Sequence, residues 1–172
     1  MAEKEKPAAL EINLEKIKRE ATEKREENEA FRQRIKRLKS PEFDALIHET
    51  ASDVYTRIDC TRCGNCCKVL QPAIVEEEVP RLALKKNCSS EEFIDNFLEL
   101  AETKDHFVMR KSPCVFLSEL KCTIYTDRPS SCADYPHLLK EDQKFRMRRV
   151  LNHYGSCPII YHVIEILKEK IS

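Results

Sequence analysis

The sequence predicts a mostly helical α+β fold: a small, metal-stapled cysteine domain with short strands and loops, preceded by a long amphipathic N-terminal helix. Three observations predict it. The first forty residues place apolar side chains at alternating spacings of four and three. Helix-start chemistry recurs at Ser40-Pro41, at Ser89-Ser90-Glu91-Glu92 and at Pro158. Between them, "HFVMRKSPCVFLSELKCTIYTDRPSSCADYP" mixes β-branched and aromatic residues with Pro and Ser, which suggests short strands and tight turns.

Residues 1–40 read as a charged amphipathic segment, with Leu10, Leu14, Ile17, Ala21, Phe31, Ile35 and Leu38 as its apolar seam. The spacing is unbroken only if Lys24 and Asn28 fill two of its positions. One reading folds this helix back on its own domain. The other pairs two copies of the chain into a short coiled coil, a homodimer through the N-terminal helix.

Residues 41–172 read as the cysteine-cluster, metal-binding domain. Ser40 is the expected cap and Pro41 the first helical position, with Phe43, Leu46, Ile47, Thr50, Ala51 and Val54 on one face up to about Arg57. "KVLQPAIV" reads as extended or irregular because of Pro72. A short helix is expected over about Glu76 to Lys86, with Val79, Leu82 and Ala83 inward. The capping box at Ser89 starts the next, carrying Phe93, Ile94, Phe97 and Leu98. In "KFRMRRVL" the alternation of Phe145, Met147 and Arg149 reads as a strand, with Lys144, Arg146, Arg148 and Arg149 as a solvated basic strand face. Ile160, Val163, Ile164 and Leu167 form the buried stripe of a last helix.

Composition narrows the function. Lys plus Arg and Asp plus Glu both number 30, so the net charge is zero and the basic footprint of a nucleic-acid binder is missing. No run of about 18 apolar residues predicts a membrane span. "MAEKEKPAALEINLEKIKRE" has no apolar leader core, so a cytoplasmic location is expected, where thiols stay reduced. Nine cysteines in such a chain point to metal before disulfides. With two glycines, a phosphate-cradling loop is not expected, and no nucleophile elbow or Ser-His-Asp order is present.

The chemistry concentrates in "DCTRCGNCCKV". Cys60, Cys63 and Cys66 are separated by two residues each, so a curled backbone can aim three thiolates at one centre. Gly64 supplies the left-handed turn that this curl needs. Such spacing serves a cubane iron–sulfur cluster, often with a distant Cys-Pro as fourth ligand, a form that Cys157-Pro158 has. It serves tetrahedral zinc equally well. Adjacent side chains rarely converge on one small centre, so Cys67 is expected to face a second site, to bridge sites or to stay free. Cys114, Cys122, Cys132 and Cys157 are the distal partners. These sulfurs would satisfy two four-ligand sites, or one site with spare redox-active thiols. Cys88 reads as a bystander. Among His48, His106, His137, His153 and His162 there is no H-x-x-x-H pair; His153, four residues before Cys157, reads as a structural or exposed histidine or as one that ligates or supports a ligand.

On these residues the sequence resembles the YkgJ-type cysteine-cluster family with its CxxCxxCC signature, described as zinc- or iron-chelating. "CTRCGNCC", "PCVFL" at Pro113 to Leu117, "CTIYTDRPSSCADYP" at Cys122 to Pro136 and Cys157 carry the resemblance, from about Arg57 to Cys157. It implies metal chelation by Cys60, Cys63, Cys66, Cys67, Cys114, Cys122, Cys132 and Cys157. By match, Tyr125, Arg128, Pro129, Tyr135 and Pro136 also belong to the motif. Arg128 could offset the charge of a tetrathiolate site.

Three functions follow as expectations. The first is a protein with one or two iron–sulfur clusters, [4Fe–4S] in type, acting in redox or electron transfer with an unidentified protein or redox partner, an iron–sulfur oxidoreductase if it is an enzyme. The second is a structural zinc module that mediates protein interaction. The third, implied by a similar domain in flagellin lysine methylases, is cluster-dependent methyl transfer. Ala133, where relatives often carry a basic residue, and the absence of the methylases' extra length both weigh against it.

Overall fold

The computed structural model describes residues 10–171. The reading of residues 1–9 as part of a leader-free N-terminus lies outside them. In chain order the elements begin with α1 (Leu14–Glu23), α2 (Arg25–Ile35) and α3 (Ser40–Arg57). The middle holds α4 (Asn65–Val69), α5 (Val79–Leu84), α6 (Ser90–Phe97), β1 (Leu98–Leu100), β2 (Phe107–Met109), β3 (Leu117–Ser118), β4 (Lys121–Cys122) and α7 (Ser130–Asp134). The chain closes with α8 (Gln143–Asn152) and α9 (Pro158–Lys170). The fold is therefore mostly helical α+β, with short antiparallel strands. Among the described residues no helix is long and apolar enough to cross a membrane.

The chain divides into two compact units. Of the described residues, 10–59 and 136–171 form a helical unit, and Cys60–Tyr135 forms a cysteine unit. Residues 14–35, read from sequence as part of a separate charged segment, pack within the first of these.

In the helical unit α3 packs on α8 and α9, α1 on α9, and α2 on α8. Every seam position from Leu10 to Leu38 is buried or half-buried, Lys24 and Asn28 included. The single long helix expected there is instead two, parted at Lys24 (φ −91°, ψ 15°). The break falls at the residue whose ammonium reaches across to Glu165 of α9, and Glu20 lies 3.8 Å from the same ammonium. Tyr154 Oη and Lys168 Nζ each donate to Glu165 Oε1 at 2.7 Å, and the Tyr161 hydroxyl donates to Glu20. A half-buried carboxylate that accepts this many bonds keeps its charge. Asn28 is buried with its Oδ1 unpartnered, a cost of about 1–3 kcal/mol.

The helix α3 begins with Pro41 in its first turn, capped by Lys39 rather than Ser40. Its inward face is Phe43, Ile47, Thr50, Ala51 and Val54, while Leu46 is half-buried. The expected strand over residues 144–151 is a helix, α8. Gln143, Met147 and Val150 form its buried stripe, and Phe145 stands 75% exposed. Arg, Lys, Gln, Met and Leu all favour helix, and the four-three spacing of the buried stripe outweighs the period-two alternation. Pro158 opens α9 as expected, with Ile160, Val163, Ile164 and Leu167 buried.

The cysteine unit has its own core: Ile74, Val79, Leu82, Ala83, Phe93, Leu98, Met109, Phe116 and Ile124. Ser89 Oγ accepts from Glu92 N at 3.1 Å and Glu92 Oε2 from Ser89 N at 2.9 Å, the reciprocal cap that starts α6. β1 pairs with β2 through Leu98 and Met109, and β3 with β4 through Leu117 and Cys122. The irregular stretch after α4 joins the sheet by one bridge, Ile74 to Phe107, bonded in both directions at 2.8 Å.

Candidate metal centre

The cysteine loop curls as its glycine permits. Cys60–Arg62 is one 3-10 turn, and Cys63 N donates to Cys60 O at 3.2 Å. Gly64 follows with φ +60°, and α4 then starts with Cys66 and Cys67 in its first turn. The loop is also pressed from outside. A Cβ on Gly64 would stand 2.7 Å from the Leu120 carbonyl oxygen, in the turn between β3 and β4. A side chain is therefore barred there by both dihedral and space.

A second arm carries the next sulfurs. Cys114 N donates to Cys67 O at 2.8 Å, which ties the segment before β3 to α4. Cys122 sits on β4, and Cys114 and Cys122 both pack against the unit's core. Cys132 lies in α7, where its N–H reaches Pro129 O at 2.9 Å.

The sulfurs of Cys66 and Cys67 are 4.0 Å apart. This corrects the expectation that adjacent cysteines diverge. On a helical turn successive residues differ by about 100° rather than by the half-turn of a strand, so two sulfurs can share one side. The pair favours one charge between them. Hydrogen bonding from Cys67, then backbone N–H groups and Arg128, outweigh burial and pull the Cys66 thiol down. The same bond, with burial and the sulfurs of Cys66, Cys114 and Cys122, pushes Cys67 up.

The other thiols resist ionisation together. Burial, then Cys66 and Cys60, raise Cys63. Burial, then Cys122 and Cys66, raise Cys114. Cys132 is pushed up to about 12 by burial, then by Cys114, Cys66 and Cys122. Charge on Cys66 opposes the ionisation of each of these three. Thiols that oppose each other's charge are the donor set that a divalent cation relieves.

Two motif residues stand beside the loop. Tyr125 Oη lies 3.8 Å from Cys60 Sγ, and the Arg128 guanidinium stacks 4.0 Å above the Tyr125 ring. Cys88 stays apart, its Sγ directed to Ala83 O at 3.7 Å. Cys157 lies in the helical unit as the N-cap of α9, with its N–H on His153 O at 3.0 Å. Burial lowers the pKa of His153. No disulfide links these cysteines, and among the described residues no group of three or more His, Cys, Asp or Glu side chains is placed to hold a metal ion. The fit to a thiophilic metal is one of donor chemistry: Cys60, Cys63, Cys66, Cys67, Cys114, Cys122 and Cys132 lie in one small unit, and Gly64 shapes the loop that carries Cys60, Cys63 and Cys66.

Sequence reading does not single out Leu120, Glu78 or Arg81. Glu78 and Arg81 bond Asp127, Arg128 and Ser130, which are 46 to 52 residues away, so no local pattern marks them.

A curled thiol loop and a cysteine-bearing hairpin, built on a small shared core, define a cysteine-rich chelating domain. The chain belongs to the CxxCxxCC family, whose model, described as "Putative zinc- or iron-chelating domain", matches residues 59–157, more than half of the sequence. No curated protein and no solved structure matches it.

Proposed function

We propose that the chain holds an iron–sulfur cluster on Cys60, Cys63 and Cys66, with a further thiol from the second arm, and serves a redox role. The observation that carries this reading is the Cys60–Cys66 loop, curled at Gly64 with Cys60 and Cys66 exposed. An exposed edge lets electrons pass between a cluster and a partner. When bound, the cluster supplies one-electron exchange. The chain's own residues hold the thiolates, screen their charge with Arg128 and keep the core side of the loop dry.

One observation favours zinc as a second reading. A separation of 4.0 Å between Cys66 and Cys67 is close to that of two sulfurs on one tetrahedral zinc, about 3.8 Å for Zn–S bonds of about 2.3 Å. Anaerobic purification separates the two. The first reading expects brown protein absorbing near about 400 nm, with iron and acid-labile sulfide. Colourless protein carrying stoichiometric zinc overturns it in favour of the second.

A further inference from the structure

We propose that Glu78 and Arg81 form a positioning pair for the metal centre, holding the turn from Asp127 to Ser130 so that Arg128 and Tyr125 lie against the cysteine loop. The inference rests on the reading that the loop thiols bind metal. Glu78 is only 8% exposed, and both its oxygens are engaged. Oε2 accepts from Val75 N at 3.3 Å, while Oε1 accepts from Arg81 Nη2 and from Ser130 N, each at 2.8 Å. Arg81 donates onward to the carbonyls of Asp127 and Arg128, the latter at 3.2 Å. A carboxylate–guanidinium pair with a buried carboxylate is not by itself a source of stability. This one bonds the backbone on both sides of Arg128 and at Arg128 itself.

The turn so held carries Arg128 and directly follows the Tyr125–Asp127 turn. Arg128 stacks on Tyr125, and Tyr125 Oη reaches Cys60 Sγ. A guanidinium and a hydroxyl beside a metal–thiolate centre set its charge balance and the basicity of its ligands. Lys85 Nζ, at the C-cap of α5 and 2.9 Å from the Asp127 carboxylate, ties the same turn. The Glu78 carboxylate therefore acts on the centre through Arg128, without touching a sulfur.

Cobalt(II) is the probe, titrated into the reduced, metal-stripped full chain and read by its thiolate-to-metal absorption. Glu78→Gln and Arg128→Met should each weaken cobalt binding roughly tenfold. Because Glu78 acts through Arg128, the double variant should bind within about twofold of Arg128→Met alone. Ser130→Pro removes only the amide that Glu78 accepts, at a helix start where Pro fits, and should shift affinity in the same direction. Variants are compared only where metal-free helicity matches the parent, so Ser130→Pro decides if Glu78→Gln does not fold. Parental affinity in Glu78→Gln and Ser130→Pro, or full multiplication of the two losses in the double variant, overturns the positioning role. An unaltered chain with no thiolate–cobalt band, and with neither iron nor zinc as purified, removes the metal reading itself, which is a different result.

Discussion

Gly64 and Leu120 stand so close that a single added carbon on the glycine would come within 2.7 Å of the leucine's carbonyl oxygen. The contact joins the first cysteine loop to the hairpin that carries Cys122. Gly64→Ala should cost about 2–3 kcal/mol, combining left-handed strain with a clash against backbone. Denaturant melts of the reduced chain check this, and metal retention should fall with it. An unchanged melt would mean that the loop has other ways to close.

Cys66 and Cys88 should part company under the same conservative change. Cys66→Ser removes the thiol that couples both arms and should abolish stoichiometric metal. Cys88→Ser should leave the metal content at the parental level, since its sulfur faces Ala83 O. Metal analysis of anaerobically prepared variants distinguishes them.

Glu165 is held below the usual carboxylate range. Burial opposes its charge, but hydrogen bonds from Lys168, Lys24 and Tyr154 outweigh it. A carboxyl with a lowered folded-state pKa stabilises fully above its unfolded value of 4.5 and loses that contribution as pH falls through the folded value. Glu165→Gln should therefore cost about 2 kcal/mol near pH 7. The gap from the parent chain should narrow once pH drops below about 4.5. Urea melts across that range read both numbers.

On α8, Met147 is fully buried and Phe145 is 75% exposed. Met147→Ala should cost about 2–5 kcal/mol, and Phe145→Ala less than about 0.5 kcal/mol. Equal losses would instead place both residues on one buried face, as in the strand read from the sequence.

That strand shows where the sequence is legible and where it is not. Signals that act within a few residues are borne out: the Ser89 capping box, Pro158 at the start of α9, and Gly64 at its left-handed turn. The seam from Leu10 to Leu38 marks covered positions correctly, because heptad spacing and burial are the same geometric fact. At residues 144–151 two periods compete. Phe145, Met147 and Arg149 alternate by chance, while Gln143, Met147 and Val150 carry the true face. The convergence of Cys66 and Cys67 was hidden because it depends on their falling in one helical turn. The contact of Leu120 with Gly64, and of Glu78 with Ser130, depends on tertiary closure that no local pattern encodes.

The order of the two units along the chain has its own consequence. The cysteine unit begins after Asp59 and ends before Pro136, so it interrupts the helical unit rather than following it. A segment inserted in this way is anchored at both ends. To the helices on either side, it behaves as a long loop whether or not it is ordered. The entropy of closing such a loop grows only as the logarithm of its length. A change in the length of the insert therefore adds little to the cost of closing the helical unit.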